Sequence, residues 1–272
     1  MEHDETHGWA WNAIGFENTE YLLENIQKSL QNGTLLENMI IDNKDHKLFY
    51  IVYPNNNPVQ ICLLIKSNEN SNNLESFYPL VEGIENELTI IDEYKWENEL
   101  EGEIIADFKD IVEISFFSPF FSKEFSEYKN KKVKVSLAGI ADGIEIADDN
   151  ETIISEGPFF ESQLNEFLNE NPDKNKDDFE PMKLSMKGAS VFLPTEYSSY
   201  YQFRSTVQSI EAVFFLNIEL VKLKICLVRP ANNDLNIFIY TTKNKINSKD
   251  LKIGDDIQGI VMLRGYIDYK FE

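Results

Sequence analysis

Two clusters of aromatic residues are the side chains with the clearest potential for ligand recognition. On the exposed face of a small β-barrel, such rings stack on nucleic-acid bases or on sugars, and they need cations nearby. Anchoring of a core or of a protein interface is the more common role of such rings, and both interpretations stay open. The ligand-binding candidates are Phe116 and Phe117 in the first cluster, Tyr200, Tyr201 and Phe203 in the second, and the cations Arg204 and Arg264.

Residues suited to catalysis or to metal binding are scarce. A nucleophilic triad needs a histidine as its base. His3 and His7 lie near the chain terminus, which offers no rigid frame, and His46 falls in a polar loop. Clusters of Cys or His for zinc, a Gly-x-Ser-x-Gly elbow and a glycine-rich phosphate loop do not occur in the sequence. We therefore expect no metal and no cofactor, and the sequence identifies no catalytic residue.

Acidic residues dominate the charge of the chain and are unevenly distributed along it. The formal net charge is −22, from 25 Lys/Arg and 47 Asp/Glu. Residues 201–272 hold 10 Lys/Arg and 8 Asp/Glu, which leaves residues 1–200 with 15 and 39. An acidic body repels phosphates and complements a basic protein surface. The local acidic run from Asp142 to Asp149 lacks the spacing of a calcium-binding loop and is expected to be solvated.

Length and composition limit the class of protein. The 272 residues suffice for one large domain or two smaller ones, and 42% of them are hydrophobic. No window reaches the roughly 20 apolar residues of a membrane span, and the acidic start of the chain lacks the apolar segment of a secretory signal. Cys62 and Cys226 lie in apolar runs, which favours buried thiols in a reducing compartment. We therefore expect a cytoplasmic protein without membrane association.

Periodicity and turn residues predict the main elements and their grouping. Asn18 or Thr19 can cap the first helix, and Asn32-Gly33 is expected to end it in a left-handed turn. The predicted elements are a helix at 18–31, a hairpin at 48–53 and 59–65, and a second helix at 159–168. The predicted regions are an N-terminal α+β region at residues 1–95, a first β module with a short helix at 96–170, and a C-terminal β module at 181–272, with the charged stretch 171–180 as the connection.

The most regular strand signal lies in residues 251–268. Gly254-Asp255-Asp256 is a turn signal, and a β-rich run from Ile257 to Ile267 follows it directly. Apolar residues alternate along this run, so both of its faces are expected to be covered. The members of the two faces are Ile257, Val261 and Leu263 on one side, and Ile260 and Met262 on the other.

Residues 101–142 show the same order of features as the final third of the chain. Each has a strand, a polar connection and then a long strand with an internal glycine. The step from Phe117 to Val133 is 16 positions, and the step from Tyr240 to Ile257 is 17. We therefore suspect a divergent internal repeat of one β module.

The run from Lys252 to Tyr266 resembles uncharacterised bacterial proteins with OB-like β modules, and so do Val112 to Phe117 and Tyr128 to Ala141. The resemblance covers the middle and final thirds of the chain. Together with the predicted elements, it implies an α+β, mostly β fold with two OB-like or meander modules and a helix-bearing N-terminal region. Such families have no assigned activity, so no functional residue is carried over to this chain.

These observations lead to one expected function and two alternatives. We expect a non-enzymatic binding or protein-interaction protein whose partner has a basic surface. The first alternative is an OB-type binder of single-stranded nucleic acid or oligosaccharide, acting through the C-terminal module. The acidic body disfavours nucleic acid. The second alternative is a carboxylate-based hydrolase, since two facing carboxylates in a cleft suffice for that chemistry.

Overall fold

The computed structural model describes residues 2–41, 46–68, 70–121, 128–148, 151–180, 182–230, 234–248, 250–267 and 269–271. Strands account for 52% of the chain and helices for 17%, which confirms the prediction of an α+β, mostly β fold. Within these residues, no helix is both long enough and apolar enough to cross a membrane.

Two helices and a four-stranded antiparallel sheet form the N-terminal region. Asn18 caps the second helix, because its side chain accepts hydrogen bonds from the backbone N–H groups of Glu20 and Tyr21. The predicted helix and hairpin are therefore confirmed. The elements are α1 (Gly8–Ala13), α2 (Thr19–Asn32), β1 (Thr34–Ile41), β2 (His46–Tyr53), β3 (Val59–Ser67) and β4 (Asn72–Val81), paired in the order β1-β2-β3-β4.

The predicted left-handed end of α2 is wrong. Gly33 has φ −73° and ψ 156°, which is extended backbone that leads straight into β1. Glycine is needed there for space instead, since a Cβ atom would collide with the side chain of Ile51 and the carbonyl of Ser29. His46 also differs from its predicted position in a loop, because it begins β2.

The rest of the chain contributes thirteen described strands and one described helix. The strands are β5 (Ile84–Lys95), β6 (Gly102–Phe108), β7 (Val112–Phe117), β8 (Lys132–Ile146), β9 (Glu151–Ile154), β10 (Met182–Ser185), β11 (Val191–Pro194), β12 (Tyr200–Thr206), β13 (Ser209–Phe215), β14 (Ile218–Val228), β15 (Leu235–Thr242), β16 (Ile246–Asn247) and β17 (Asp256–Tyr266). The helix α3 (Pro158–Glu170) confirms the second predicted helix.

Five strands close a β-barrel, which we name the first ring. Going round it, β5 pairs with β6, β6 with β7, β7 with β17, β17 with β8, and β8 again with β5. Only β7 and β17 run parallel, with Phe117 opposite Arg264. The closing strand β17 is the run predicted at the end of the chain, and β5 comes from the predicted N-terminal region.

A second circuit of strands uses β8 and β17 again, and we name it the second ring. In it, β12 continues through Val207 and Gln208 into β13, and β13, β14 and β15 form an antiparallel meander. β15 pairs in parallel with β8, β8 pairs with β17, and β17 pairs with β12. The strands β8 and β17 therefore belong to both rings.

The pairing of the first ring recurs in the second, residue by residue. In the first ring β5 pairs with β8, and in the second ring β12 pairs with β17. The residue pair Glu85–Ser136 in the first ring corresponds in this way to Gln202–Ile260 in the second. The parallel pair β7–β17 corresponds in the same way to β15–β8. The two rings therefore have similar strand pairing, in which β17 pairs with β7 of the first ring and β8 pairs with β15 of the second. The internal repeat itself stays a prediction.

The long strand β17 divides its side chains between two hydrophobic clusters. Met262 packs with the N-terminal helices and sheet, whereas Val261 and Leu263 pack inside the rings. The prediction that both faces are covered is correct for these residues but wrong for Ile260, which is 41% exposed. Ile260 keeps the alternation of β17, opposite Gln202 of β12, and lies with the exposed Gln258 on the outer face of the strand, whereas Met262 further along this face is covered by the N-terminal helices and sheet.

Candidate binding site

The residues that the sequence singled out for ligand binding are all largely buried. Their exposures are 0% for Phe116 and Phe117, 7% for Tyr200, 5% for Tyr201, 3% for Phe203 and 1% for Arg264, and the side chain of Arg204 is 11% exposed. None of these five rings presents an exposed face for stacking on a base or sugar. Their positions agree with the alternative interpretation as core anchors, and a ligand contact of any of them stays a prediction.

A buried polar centre lies where the N-terminal segment meets the first ring. The ring atom Nε2 of His7 is 2.7 Å from Oε1 of Glu101, and Nδ1 of His7 is 3.5 Å from Nη2 of Arg264. Aromatic rings surround the imidazole, among them Trp96 at 5.1 Å and Phe117 at 4.8 Å between centroids. The sequence argues against a role for His7 because a chain terminus offers no frame, but here the folded body supplies one.

The contacts of Glu101 and Arg264 explain how both charges are held inside. Glu101, whose side chain is 4% exposed, also accepts hydrogen bonds from Ser76 at 2.9 Å and Asn98 at 2.6 Å. Arg264 donates to the carbonyl of Pro79 at 2.9 Å, and burial lowers its pKa to about 10. The sequence signal for a buried polar centre is the position of Arg264 inside an apolar strand, because an arginine buried there needs polar partners.

The contacts of His7 in the polar centre hold the N-terminal segment against the first ring. Burial lowers the pKa of His7, Glu101 works in the opposite direction, and Arg264 lowers the pKa further. The imidazole is therefore neutral, with Nε2–H donating to Glu101 and Nδ1 accepting from Arg264. Because both ring nitrogens are occupied, His7 has no free lone pair to act as a general base.

The lowered pKa of His7 predicts a specific loss of stability in acid. The unfolded chain takes up this proton first as the pH falls below about 6.5, so stability is full above that pH and declines as the pH falls towards the folded pKa. Urea unfolding between pH 5 and pH 8 is the measurement. The variant His7→Gln is expected to have a shallower slope below pH 6.5, by up to about 1.4 kcal/mol per pH unit. Equal slopes in the two proteins would contradict the assignment.

Further contacts make residues 2–9 a strap across both rings. His3 stacks on Tyr94 of β5, with 3.3 Å between ring centroids. Asp4 accepts a hydrogen bond from the hydroxyl of Tyr200 on β12 at 2.7 Å. Trp9 packs edge-on against Tyr200, which adds an aromatic contact between the strap and β12.

A groove lies on the outer face of β11, β12 and β17, with a volume of about 690 Å³. Its floor is a row of one residue from each strand, with Leu193 opposite Gln202 and Gln202 opposite Ile260. Leu193 is 53% and Ile260 41% exposed, so the row offers apolar surface to solvent. Carboxylates of the predicted acidic run line the groove, and they are Asp142, Glu145 and Asp148.

Arg204 lines the groove, but its charge is already compensated. Nη1 donates to the carbonyl of Asp148 at 3.1 Å, and Nη2 is 3.5 Å from the carboxylate of Asp256. Burial works to raise the pKa of Asp256, but hydrogen bonds from Thr206 and Gly188 and the charge of Arg204 lower it below its usual range. Arg204 therefore belongs to an ion pair that fixes the groove wall.

The charge that remains on the rim is negative. Asp142 pairs with Lys245 at 3.0 Å. Within the described ranges, neither Glu145 nor Asp148 has a side-chain cation within 4 Å of its carboxylate. Among the residues that the structure describes, the groove thus combines the exposed side chains of Leu193 and Ile260 with two carboxylates that no lysine or arginine side chain approaches within 4 Å.

The corresponding face of the first ring has a different character. At the positions of Gln202 and Ile260, the first ring has Glu85 and Ser136. At the positions of Arg204 and Gln258, it has Glu87 and Lys134. Its charges pair among themselves, Glu85 with Lys134 at 3.0 Å and Glu87 with Lys132 at 2.6 Å. Because two related strand pairs carry such different surfaces, the groove is a feature of the second ring and not of the fold.

The fold and this groove define the class of protein, an α+β, mostly β protein with a closed five-stranded barrel. Comparison of the chain with protein-family models, with curated proteins and with solved structures finds no match. Among the residues that the structure describes, no group of three or more His, Cys, Asp and Glu is arranged to hold a metal ion.

Proposed function

We propose that this is a non-enzymatic protein-interaction protein that binds a basic segment of its partner in the groove of the second ring. The observation that carries the proposal is the pair of exposed apolar side chains Leu193 and Ile260, on either side of Gln202, beside the carboxylates of Glu145 and Asp148, which have no side-chain cation within 4 Å among the described residues. An aliphatic side chain fits the row, and flanking lysines or arginines fit the rim. The charge of residues 1–200 supports attraction of such a partner from a distance.

The dimensions of the groove favour a short extended segment. Neighbouring strands lie about 4.8 Å apart, so the row across three strands spans about 10 Å. An extended chain advances about 3.3 Å per residue, so roughly three to four residues of a partner cover the row. A segment with the pattern Lys-Leu-Lys places its leucine on the floor, while its lysines point away from the floor and reach the carboxylates of the rim through their long, flexible side chains.

A labelled peptide with that pattern tests the proposal. Fluorescence anisotropy of dye-labelled Gly-Lys-Leu-Lys-Gly is measured with the whole protein, beside Gly-Lys-Ser-Lys-Gly and Gly-Glu-Leu-Glu-Gly. The double variant Glu145→Gln, Asp148→Asn is expected to weaken binding of the first peptide roughly three- to tenfold, and more at low than at high salt.

The first ring supplies the matched control. The double variant Glu85→Gln, Glu87→Gln removes two carboxylates from the related face, where lysines already compensate them. Binding is expected to stay unchanged in this variant. An equal loss in both double variants indicates a response to net charge alone and overturns the groove as the site.

We also propose the OB-type interpretation of the two rings. What supports it is the order of strands in the first ring, where the third and fifth strands along the chain run parallel and the first strand pairs with both the second and the fourth. The nucleic-acid and oligosaccharide alternatives have no such support in the groove, because its described lining includes no exposed aromatic face. The groove is lined by three carboxylates, so the hydrolase alternative stays a prediction.

We propose the cytoplasm as the compartment. The support is the state of the two cysteines, which are free and buried. Burial raises the pKa of Cys62 to about 12, so its thiol stays protonated and unreactive.

A further inference from the structure

The strand β13 ends the large sheet with one of its edges open. It pairs with β14 along one side, and among the residues that the structure describes no strand pairs with its other side. A two-residue turn joins the two strands, which makes Phe215 and Ile218 a hydrogen-bonded pair. The backbone groups of the alternate residues Phe214, Ala212 and Ile210 therefore point away from β14. Such an open edge is a template for another strand.

A contact with the turn between β2 and β3 agrees with this direction of the backbone. The side chain of Asn57 donates to the carbonyl of Phe214 at 2.8 Å, so this carbonyl faces the open edge and keeps a second lone pair. Among the described residues, the backbone groups of Ala212 and Ile210 have no such partner. Hydrogen-bonding capacity thus remains along most of the edge.

The side chains of β13 lack the usual protection against strand pairing. Phe214 is 64% exposed, Ala212 is exposed and Ile210 is half-buried, and all three lie on one face of the strand. The strand contains no lysine and no proline. Its one charged residue, Glu211, lies on the opposite face, 3.7 Å from Lys222 of β14. Charge therefore does not block the edge.

The edge at the other end of the same sheet does carry protection. β11 has only four residues, and its last residue, Pro194, has no backbone N–H to donate. A short strand with a proline is a poor template for a further strand. The open edge of β13 is therefore not a general property of this sheet.

The sequence of β13 is complementary to itself when a second copy lies antiparallel to it. With Ala212 opposite the same residue of the second copy, Ile210 lies opposite Phe214 on both sides of the centre. All the outward residues then form hydrogen-bonded pairs, and each phenylalanine ring covers an isoleucine. A shift of two residues in one direction places the two Glu211 carboxylates opposite each other, and a shift in the other direction leaves Ile210 unpaired.

The distribution of charge also favours a second copy at this part of the surface. Residues 201–272 hold 10 Lys/Arg and 8 Asp/Glu, whereas residues 1–200 hold 15 and 39. Two chains that each carry a formal net charge of −22 repel each other least where their nearly neutral C-terminal regions meet. β13 belongs to this region.

From these observations we infer that β13 pairs with β13 of a second copy, which joins two second rings in one continuous sheet with a two-fold axis at Ala212. The pairing is short, so we expect a weak dimer that is half formed at roughly 10–100 µM. The groove lies on β11, β12 and β17, so the inference does not depend on the proposed function. The dimer carries two grooves, and a partner with two basic segments gains avidity from them.

Sedimentation of the whole protein between about 5 and about 500 µM tests the inference. A shift from the chain mass to twice the chain mass is expected. Phe214→Ser is expected to weaken the dimer about fivefold or more, and Ala212→Pro, which removes a central N–H, to abolish it. Ile253→Ser removes another exposed side chain, 65% exposed and outside β13, and is expected to change nothing. A monomer at all concentrations, or a dimer that Phe214→Ser leaves unchanged with folding verified by circular dichroism, overturns the inference.

Amide hydrogen exchange locates the pairing within the strand. The N–H of Val213 faces β14, so its protection is expected at every concentration. The N–H groups of Ala212 and Ile210 are expected to gain protection as the dimer forms. Exchange of these two amides that does not depend on concentration overturns pairing through β13, even where a dimer is present.

The peptide Gly-Lys-Leu-Lys-Gly separates this inference from the proposed function. Its binding is expected to be the same in Phe214→Ser as in the parent chain. A protein that stays a monomer and binds the peptide less tightly in Phe214→Ser holds the partner segment at the edge of β13, which overturns self-pairing. Dimerisation through β13 without binding of the peptide supports self-pairing and counts against the proposed function alone.

Discussion

Replacement of Glu101 by alanine is expected to lower the free energy of unfolding by about 3–5 kcal/mol. The carboxylate accepts hydrogen bonds from His7, Ser76 and Asn98 in a site where its side chain is 4% exposed. Its removal leaves those donors without an acceptor and leaves Arg264 without the negative charge that balances it through His7. Urea denaturation at pH 7.5 measures the change.

Two variants test whether the loss comes from the buried charge. Glu101→Gln keeps the shape and one acceptor oxygen, so it is expected to cost less than Glu101→Ala. Glu97→Ala removes an exposed carboxylate four residues away, and its effect is expected to stay within about 0.5 kcal/mol. If Glu101→Ala behaves like Glu97→Ala, the polar centre does not stabilise the fold.

Replacement of Leu263 by alanine is expected to cost about 2–5 kcal/mol and to weaken both rings together. Leu263 is fully buried in β17, opposite Gly139 of β8, where the two shared strands cross from one ring to the other. A cavity in place of the Leu263 side chain removes packing contacts from both rings at the same time. Urea denaturation measures the total, and hydrogen exchange of the amides in β6 and β14 reports each ring separately.

Equal losses of protection in β6 and β14 are the expected result for shared strands. Leu193→Ala is the control, because this leucine is 53% exposed and its removal leaves no cavity. A loss of protection confined to β14 would mean that the rings open independently in spite of their common strands.

The sequence could not indicate that the two rings share β8 and β17. The similar spacing from Phe117 to Val133 and from Tyr240 to Ile257 predicts two related modules, because it depends on local strand and turn patterns. It cannot predict that each long strand closes the other module. That outcome depends on strand partners more than 100 residues apart, such as Ile140 and Met262.

The candidate sites show the same limit. Alternating aromatic residues near Tyr200 have one pattern whether their rings face a core or a ligand, so periodicity predicts the strand but not the environment of Phe203 or Tyr201. Arg204 lines the groove, but its charge is compensated by Asp256, 52 residues away along the chain. The row of Leu193, Gln202 and Ile260 joins three separate segments and has no local signature.

The sequence by itself determined the elements whose causes are local. Asn18 caps α2, the turn residues after Tyr53 produce the hairpin of β2 and β3, and the apolar alternation after Asp256 produces β17. Only the tertiary structure decided where His7 and Arg264 lie. The physical reason is that burial and pairing are set by surfaces that meet after folding, and His7 finds Glu101 across 94 residues of chain.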